Sequence, residues 1–596
     1  SLFVFLDALP LTPNGKLDRK ALPSPEVARS EQHDDFVAPR TDIEKQLAQV
    51  WVEVLKVERV GVHDNFFELG GDSILSIQII SKAGQTGLRL TPKQIFTNPT
   101  VAELALECAP TNGAETQAAA EDLSGTFALS PIQNWFFEQD FIAPNHWNMA
   151  MLLEIDQRLQ PEQLRQMIAA LLAQHDALRL RFHKNDAGWQ QHYAALDAEI
   201  PFASEDLSAF DENAQQQKIS EAAQAAQRSL DLHDGPLLRV LHFALGKNQP
   251  DRLLFVIYHL AVDAVSWRIL LEDLQTACEQ IARGEAIRLP AKTTSFKNWL
   301  AHLQAFANSE ALEKQHDFWM STAKPQPLPV DRQGENIAAS RRTVEVALSA
   351  EKTRALLQEV PKAYKTQIND ILLTAFAQTI AQWTGRQSVL LALEGHGREE
   401  LPGAEKIDLS RTVGWFTTMF PIHLQLAASD NPGEILKSTK EQLRQIPHRG
   451  IGYGLLRYLG DDATVADKLT AQPWPQVSFN YLGHFGGQTD EQAGLRVPDA
   501  PTGDGNDAAG KGHSLLEVTG RVADGVLKME WAYSENLHQR ETIGKLAQAF
   551  MSALSALIEH CLSPEAGGFT PSDFPLANLN SAQLDKLLKK KMAKAG

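Results

Sequence analysis

A chain of 596 residues exceeds what one hydrophobic core organises, since domains run to roughly 100 to 200 residues, so three or more folding units are expected. With 43% hydrophobic, 22% charged and 7% aromatic residues, the composition is that of a soluble globular protein and excludes a disordered or membrane-embedded class. A net charge of −18 opposes general binding to nucleic acid or to an anionic membrane, whose phosphates would be repelled, and leaves small molecules and proteins as expected partners.

Residues 1–23 contain LPLTPNGKLDRKALP, a Pro/Gly/Asn turn in an apolar frame too short to fold alone. Their apolar start lacks a basic n-region, so no signal peptide is expected. No apolar run is long enough to span a bilayer, and the expected location is the cytoplasm. Residues 24–37 are polar enough to be a linker. Across 38–108, apolar positions at helical spacing in TDIEKQLAQVWVEVLKV, SILSIQIISKAGQ and PKQIFTNPTVAELALE predict a small helical bundle. The small, polar stretch APTNGAETQAAAEDLSG, 109–125, reads as a flexible tether.

From 126 to 575, helical patterns such as QLRQMIAALLAQHDALRLRF mix with the β-rich runs RLLFVIYH, SVLLALE and PQVSFNYLG, which predicts an α/β region sized for two lobes, about 126–300 and 301–575. The segment 576–596 closes on a lysine-rich amphipathic helix, readable as a solvated tail or a docking element. Cys108, Cys278 and Cys561 are odd in number, far apart and without CxxC spacing, so they are expected as buried apolar groups rather than a disulfide framework or zinc site.

In DNFFELGGDSILSIQ, Ser73 follows two glycines and an aspartate at the start of an apolar-periodic helix. Glycines permit a tight turn and helix-opening amides favour a phosphate, so Ser73 is placed either to carry a phosphodiester or simply to cap the helix. Three further polar clusters sit where β-like runs end. FVIYHLAVDAVSWRIL delivers His259 to a loop, with Asp263 and Ser266 ahead of a helix. SVLLALEGHGREEL ends its strand on Glu394, with Gly395 and Gly397 opening the backbone beside His396 and Arg398. PQVSFNYLGHF carries Asn480 and Tyr481. A rigid strand aims a side chain while the following loop admits substrate. Taken singly, each residue also has a structural reading: His259 a core histidine, Asp263 a helix N-cap, Glu394 a surface carboxylate paired with Arg398, Asn480 a turn residue. His259 and Asp263 lack a third ligand at suitable spacing, so no metal is expected.

DNFFELGGDSI resembles the attachment motif of peptidyl carrier proteins, and the resemblance extends over the whole helical bundle. It implies that a phosphopantetheinyl transferase places 4'-phosphopantetheine on Ser73. LTPNGKLDRKALP resembles the last motif of an adenylation domain, whose lysine is here Lys16; only that tail is present, and the upstream adenylation domain is implied as a partner. In chain order, LSPIQNWFFE, YHLAVDAVSW, LALEGHGREE, RTVGWFTTMFP, PHRGIGYG and FNYLGHF resemble the signature motifs of nonribosomal peptide synthetase epimerization domains.

That resemblance implies a multidomain chain: a small four-helix carrier bundle, then an α/β epimerization domain of two chloramphenicol-acetyltransferase-like lobes with a tunnel between them. His259 corresponds to the catalytic histidine and Glu394 to the catalytic glutamate, one from each lobe, with Asp263, Ser266, Arg398, Asn480 and Tyr481 in support. The implied reaction converts a carrier-bound L-aminoacyl or peptidyl thioester into an L/D mixture, from which a downstream condensation domain takes the D form. Two positions depart from the family pattern: Tyr258 stands where a first histidine is usual, and Ala264 where a glycine is. Strand alternation turns Tyr258 away from His259. The rival readings are an amide-forming condensation domain, which shares the fold, and an inactive carrier-docking module. Without an adenylation pocket the sequence does not name the amino acid carried.

Overall fold

A computed structural model describes residues 36–110, 121–321, 327–484 and 495–587, apart from 157, 187, 197–198, 499, 575–576, 578, 581–582 and 585. Lys16 and its adenylation-like motif, most of both expected linkers and the lysine-rich end lie outside the described residues.

The first unit is a bundle of helices α1 (Asp42–Leu55), α2 (Ser73–Gln85), α3 (Pro92–Thr97) and α4 (Val101–Glu107). Helix α1 opens on a capping box, in which Thr41 accepts from the Glu44 amide and Glu44 accepts from the Thr41 amide. Its apolar stripe, Leu47, Trp51 and Val54, joins Leu75 and Ile79 of α2 and Leu104 of α4 in one core. Trp51 meets the edge of Phe66 at 5.4 Å. A Cβ on Gly71 would lie 2.5 Å from the Phe66 ring, so only glycine lets the loop fold flat against the core and bring Ser73 to the start of α2.

Two lobes follow. In the first, strands β1 (Asn148–Ile155), β2 (Phe202–Asp206), β3 (Leu238–Ala244) and β4 (Asp251–Tyr258) form a sheet in the order β1, β4, β3, β2, extended past β1 by the short strand Leu495–Arg496. The run LLFVIY is buried throughout because β4 lies inside this sheet, and α5 (Pro161–Gln174) and α6 (Ala264–Ala282) add Leu164, Ile168, Trp267 and Leu274 to the same core. In the second lobe, β5 (Arg341–Ala347), β6 (Ser388–Gly395), β7 (Thr418–Gln425), β8 (Val477–His484), β9 (Leu516–Ala523) and β10 (Val526–Ser534) are ordered β7, β6, β8, β9, β10, β5. Helices α7 (Ile368–Thr384) and α8 (Arg540–Cys561) join this core, with Phe376 and Phe550 each 5.9 Å from Trp531.

The lobes are not separate in sequence. Val413 and Trp415, from the chain between β6 and β7, lie in the first lobe's core, as does Leu495. Asp263 and Arg398 close the seam. Asp263 Oδ1 accepts from the Ser266 amide at 2.7 Å and caps α6, while Oδ2 accepts from Arg398 Nη1 at 2.8 Å and from the Phe416 amide at 3.0 Å. Arg398 Nη2 also donates to Ser266 Oγ at 3.1 Å and to the Thr412 carbonyl at 3.1 Å, and its guanidinium stands 3.9 Å over the Phe416 ring. The pairing of Arg398 with Glu394 considered from sequence is replaced by this pairing with Asp263. Burial alone would raise the Asp263 carboxyl, but Arg398 and the two amides hold it below its ordinary value.

The last residues of the expected tether do not hang free. Lys297 Nζ donates to the carbonyls of Asp122 at 2.9 Å and Ser124 at 2.6 Å, and Glu121 accepts from the Ser295 amide at 3.0 Å. Among the described residues no helix is long and apolar enough to cross a membrane. Cys108, Cys278 and Cys561 are buried free thiols.

Replacing Asp263 with alanine strands the buried Arg398 and is expected to cost about 3–5 kcal/mol. The thermal midpoint of the Asp263→Ala chain checks this, and Asp263→Ala combined with Arg398→Met should recover most of the loss.

Candidate active site

The histidine is set by the end of β4. Tyr258, its last residue, is fully buried, meets the edge of Phe136 at 6.1 Å and donates its hydroxyl to the Pro144 carbonyl. Alternation then sends His259 to the other side, where the strand gives way to a single 3-10 turn, His259–Ala261. Its ring lies 4.5 Å from the Trp415 ring. Burial drives the imidazole below its ordinary value, offset in part by its own backbone, Asp263 and the backbone of Val262, so near neutrality it is a neutral base. Ala264 is the first residue of α6, and Tyr258 serves packing; neither departure from the family pattern removes a polar group from the His259 side.

The glutamate comes from the other lobe. Strands β6 and β8 run parallel with Leu393 opposite Phe479, which sets Glu394 beside Asn480. Asn480 Nδ2 donates to Glu394 Oε2 at 2.6 Å. The carboxyl meets open space rather than packed atoms, yet protein walls surround it. This burial, reinforced by the negative charge of Glu517, raises it to about 7. Glu517 is on β9, opposite Ser478 of β8, and is held by Arg341. Gly397, at φ +67°, makes the turn after β6, where a Cβ would stand 1.7 Å from the Phe416 carbonyl oxygen. Burial drives the Tyr481 phenol well above its ordinary value. Asp263, Ser266 and Arg398, with their mutual bonds, hold the seam behind the site.

His259, Glu394 and Asn480 stand where two cavities join. The wider, about 930 Å³, is also lined by Gly70, Gly71, Asp72, Ser73 and Tyr481. The narrower, about 320 Å³, lies beyond and is walled by Trp135, Trp147, Trp415, Trp474 and Tyr533. The helical bundle sits over the wider mouth. Arg411 Nη1 donates to Ser81 Oγ at 3.1 Å, Lys362 pairs with Glu68 at 3.4 Å, and the Arg449 guanidinium lies 4.2 Å over Phe96. Ile77 of α2 packs into the first lobe's core. A serine at a helix start, two side-chain-free glycines and an open channel to the acid/base pair fit an attached phosphopantetheine arm.

Trp415, Glu517 and the interface arginines Arg411 and Arg449 carried no individual signal in the sequence. Trp415 and Arg411 fall in RTVGWFTTMFP and Arg449 in PHRGIGYG, so the motifs marked the segments without assigning the side chains.

Residues 123–579 match the family described as Condensation domain, and residues 45–107 match that described as Phosphopantetheine attachment site. A linear gramicidin synthase polypeptide of Brevibacillus parabrevis is 48% identical over 98% of this chain and 8% of its own length. The chondramide synthase of Chondromyces crocatus is 43% identical over 99% of this chain and 15% of its own. The chain thus spans between 8% and 15% of the length of these relatives. Among solved structures, the epimerization domain from the third module of tyrocidine synthetase B has a TM-score of 0.69 and 35% identity, covering 74% of this chain and 97% of that one.

Because Glu517 adds to the elevation of Glu394, Glu517→Gln should lower the Glu394 titration below about 7. Isotope-edited infrared titration of the carboxyl stretch reads this directly; an unmoved midpoint would show that burial alone sets it.

Proposed function

Because the chain belongs to the condensation-domain family and carries a phosphopantetheine attachment region ahead of it, we propose that it epimerizes the α-carbon of an aminoacyl or peptidyl thioester held through 4'-phosphopantetheine on Ser73, giving a mixture of L and D forms. The observation that carries the reading is that His259 and Glu394, from different lobes, line one tunnel that also reaches Ser73.

The attached thioester supplies an acidified α-hydrogen. His259 and Glu394 take and return the proton. With the imidazole depressed and the carboxyl raised to about 7, the resting pair between those two values holds one proton, on Glu394. Neutral His259 then accepts the α-proton on one face while Glu394 donates on the other, and the reverse direction exchanges the roles. Asn480 fixes the Glu394 carboxylate, and the Asn480 amide and Tyr481 hydroxyl are the donors that meet charge building on the carbonyl oxygen. Asp263, Ser266 and Arg398 position rather than transfer.

The amide-forming alternative requires a second thioester, whereas one loaded carrier suffices for inversion. The inactive-module alternative has no support in Tyr258 or Ala264, whose positions are structural. In this reading an upstream adenylation domain loads the arm, a phosphopantetheinyl transferase installs it, and a downstream condensation domain selects the D product. The three buried free thiols accord with a cytoplasmic location.

Loaded with one L-aminoacyl group and no acceptor, the holo chain should yield a D/L mixture on chiral analysis and should take up deuterium at the α-carbon from deuterium oxide. His259→Ala and Glu394→Gln should each slow inversion by about 100-fold or more. If both variants exchange and racemise at the parent rate, the two-base scheme is wrong. The pH–rate profile should be a bell. Acidification below the lowered His259 value protonates the base, and alkali above about 7 deprotonates the acid, so the rate falls on both sides.

A further inference from the structure

Arg268 of α6 has no role in the proton transfer described above, yet it is 4% exposed, and among the described residues its Nε and Nη1 have no hydrogen-bond partner. Its Nη2 donates to the carbonyls of His484 at 2.6 Å and Leu482 at 3.4 Å, the residues flanking Gly483. The β8–β9 register breaks between Tyr481 and His484, and Gly483 takes φ +68° there. Against this bulge rests the carrier. A Cβ on Gly483 would stand 2.5 Å from Asp72 Oδ2, while Asp72 Oδ1 caps α2 through the Ile74 amide at 2.9 Å and the Leu75 amide at 2.8 Å. The guanidinium therefore lies under the residue next to Ser73, at the start of a 13-residue helix.

A buried guanidinium with two unmatched donor nitrogens is costly unless an anion completes it. Burial depresses Arg268, and among the anions acting on it Asp72 of the carrier outweighs Glu272 of its own helix. Asp72 spends its hydrogen bonds on the helix-start amides rather than on the guanidinium, so among the described residues the Nε and Nη1 donors of Arg268 are left without an acceptor.

We propose that Arg268 binds the phosphodiester of the arm on Ser73, so that the two lobes recognise the modified carrier rather than the bare one. The proposal rests on Ser73 as the attachment site and is independent of the inversion chemistry. The phosphate supplies the negative charge that Arg268 lacks while the start of α2 attracts the same phosphate, and docking is stronger for the holo than for the apo carrier.

The test uses the full chain in apo and holo forms. In ³¹P NMR, the Ser73 phosphodiester of the folded holo chain should resonate away from its position in the urea-unfolded chain. Arg268→Gln should move it back toward that position, and Arg268→Lys, which keeps the charge, should move it less. The docked fraction, read by spin-label distances between carrier and lobes, should rise by about threefold or more on conversion from apo to holo in the parent and stay level in Arg268→Gln. Circular dichroism melting of each variant confirms folding. A phosphorus resonance unmoved by Arg268→Gln overturns the proposal. So does an Asp72→Asn chain that reproduces the full Arg268→Gln shift, since the guanidinium would then serve the carrier's carboxylate alone. A parent that fails to invert its substrate would sink the epimerase reading and leave the phosphorus result standing.

Discussion

The site depends on one buried ion pair. Asp263 and Arg398 come from different lobes, and each follows a proton-handling residue by four positions: His259 precedes Asp263, and Glu394 precedes Arg398. Joining the second member of each pair fixes the separation of the first members. The bonds from the guanidinium to Ser266 and Thr412 and its seat on Phe416 remove the remaining freedom. A buried ion pair contributes little net stability against a well-packed apolar substitute. What it provides here is registry, since the geometry of a two-base site degrades with small displacements of either base.

Around that clamp the two bases shift in opposite directions from one physical cause. Burial disfavours charge on both, lowering the imidazole and raising the carboxyl to about 7, so near neutrality the proton rests on Glu394 and His259 is free to accept one. One proton held between the two groups suits a reaction whose substrate and product differ only in handedness, because each direction then uses one residue as base and the other as acid. Glu517, two strands from Glu394 and itself paired with Arg341, adds to the rise of the carboxyl from a distance.

Local patterns carried much of this architecture. The apolar spacing in TDIEKQLAQVWVEVLKV becomes α1, the run RLLFVIY becomes the inner strand β4, and Glu394 stands at the end of β6 as its motif suggests. What depends on register was not legible. Nothing local states that β6 and β8 are parallel neighbours, so the Asn480–Glu394 bond and the approach of Glu517 emerge only from the sheet. Arg398 shows the same limit: it stands four residues from Glu394 but bonds Asp263, 135 positions away. Residues 121–125 have a linker's composition, yet Lys297 and Ser295 fasten their backbone and side chains, a contact that composition does not encode.

Trp415 lies in the core of a lobe whose own strands end more than 150 positions earlier, and Leu495 extends that lobe's sheet from later still. As the ribosome extends the chain, the first lobe therefore emerges with a hole in its interior and an open sheet edge that only later sequence can fill. Such long-range closure makes folding slow and leaves apolar surface exposed during synthesis. The two lobes consequently form one folding unit, and a recombinant boundary drawn between them would sever a core rather than a hinge.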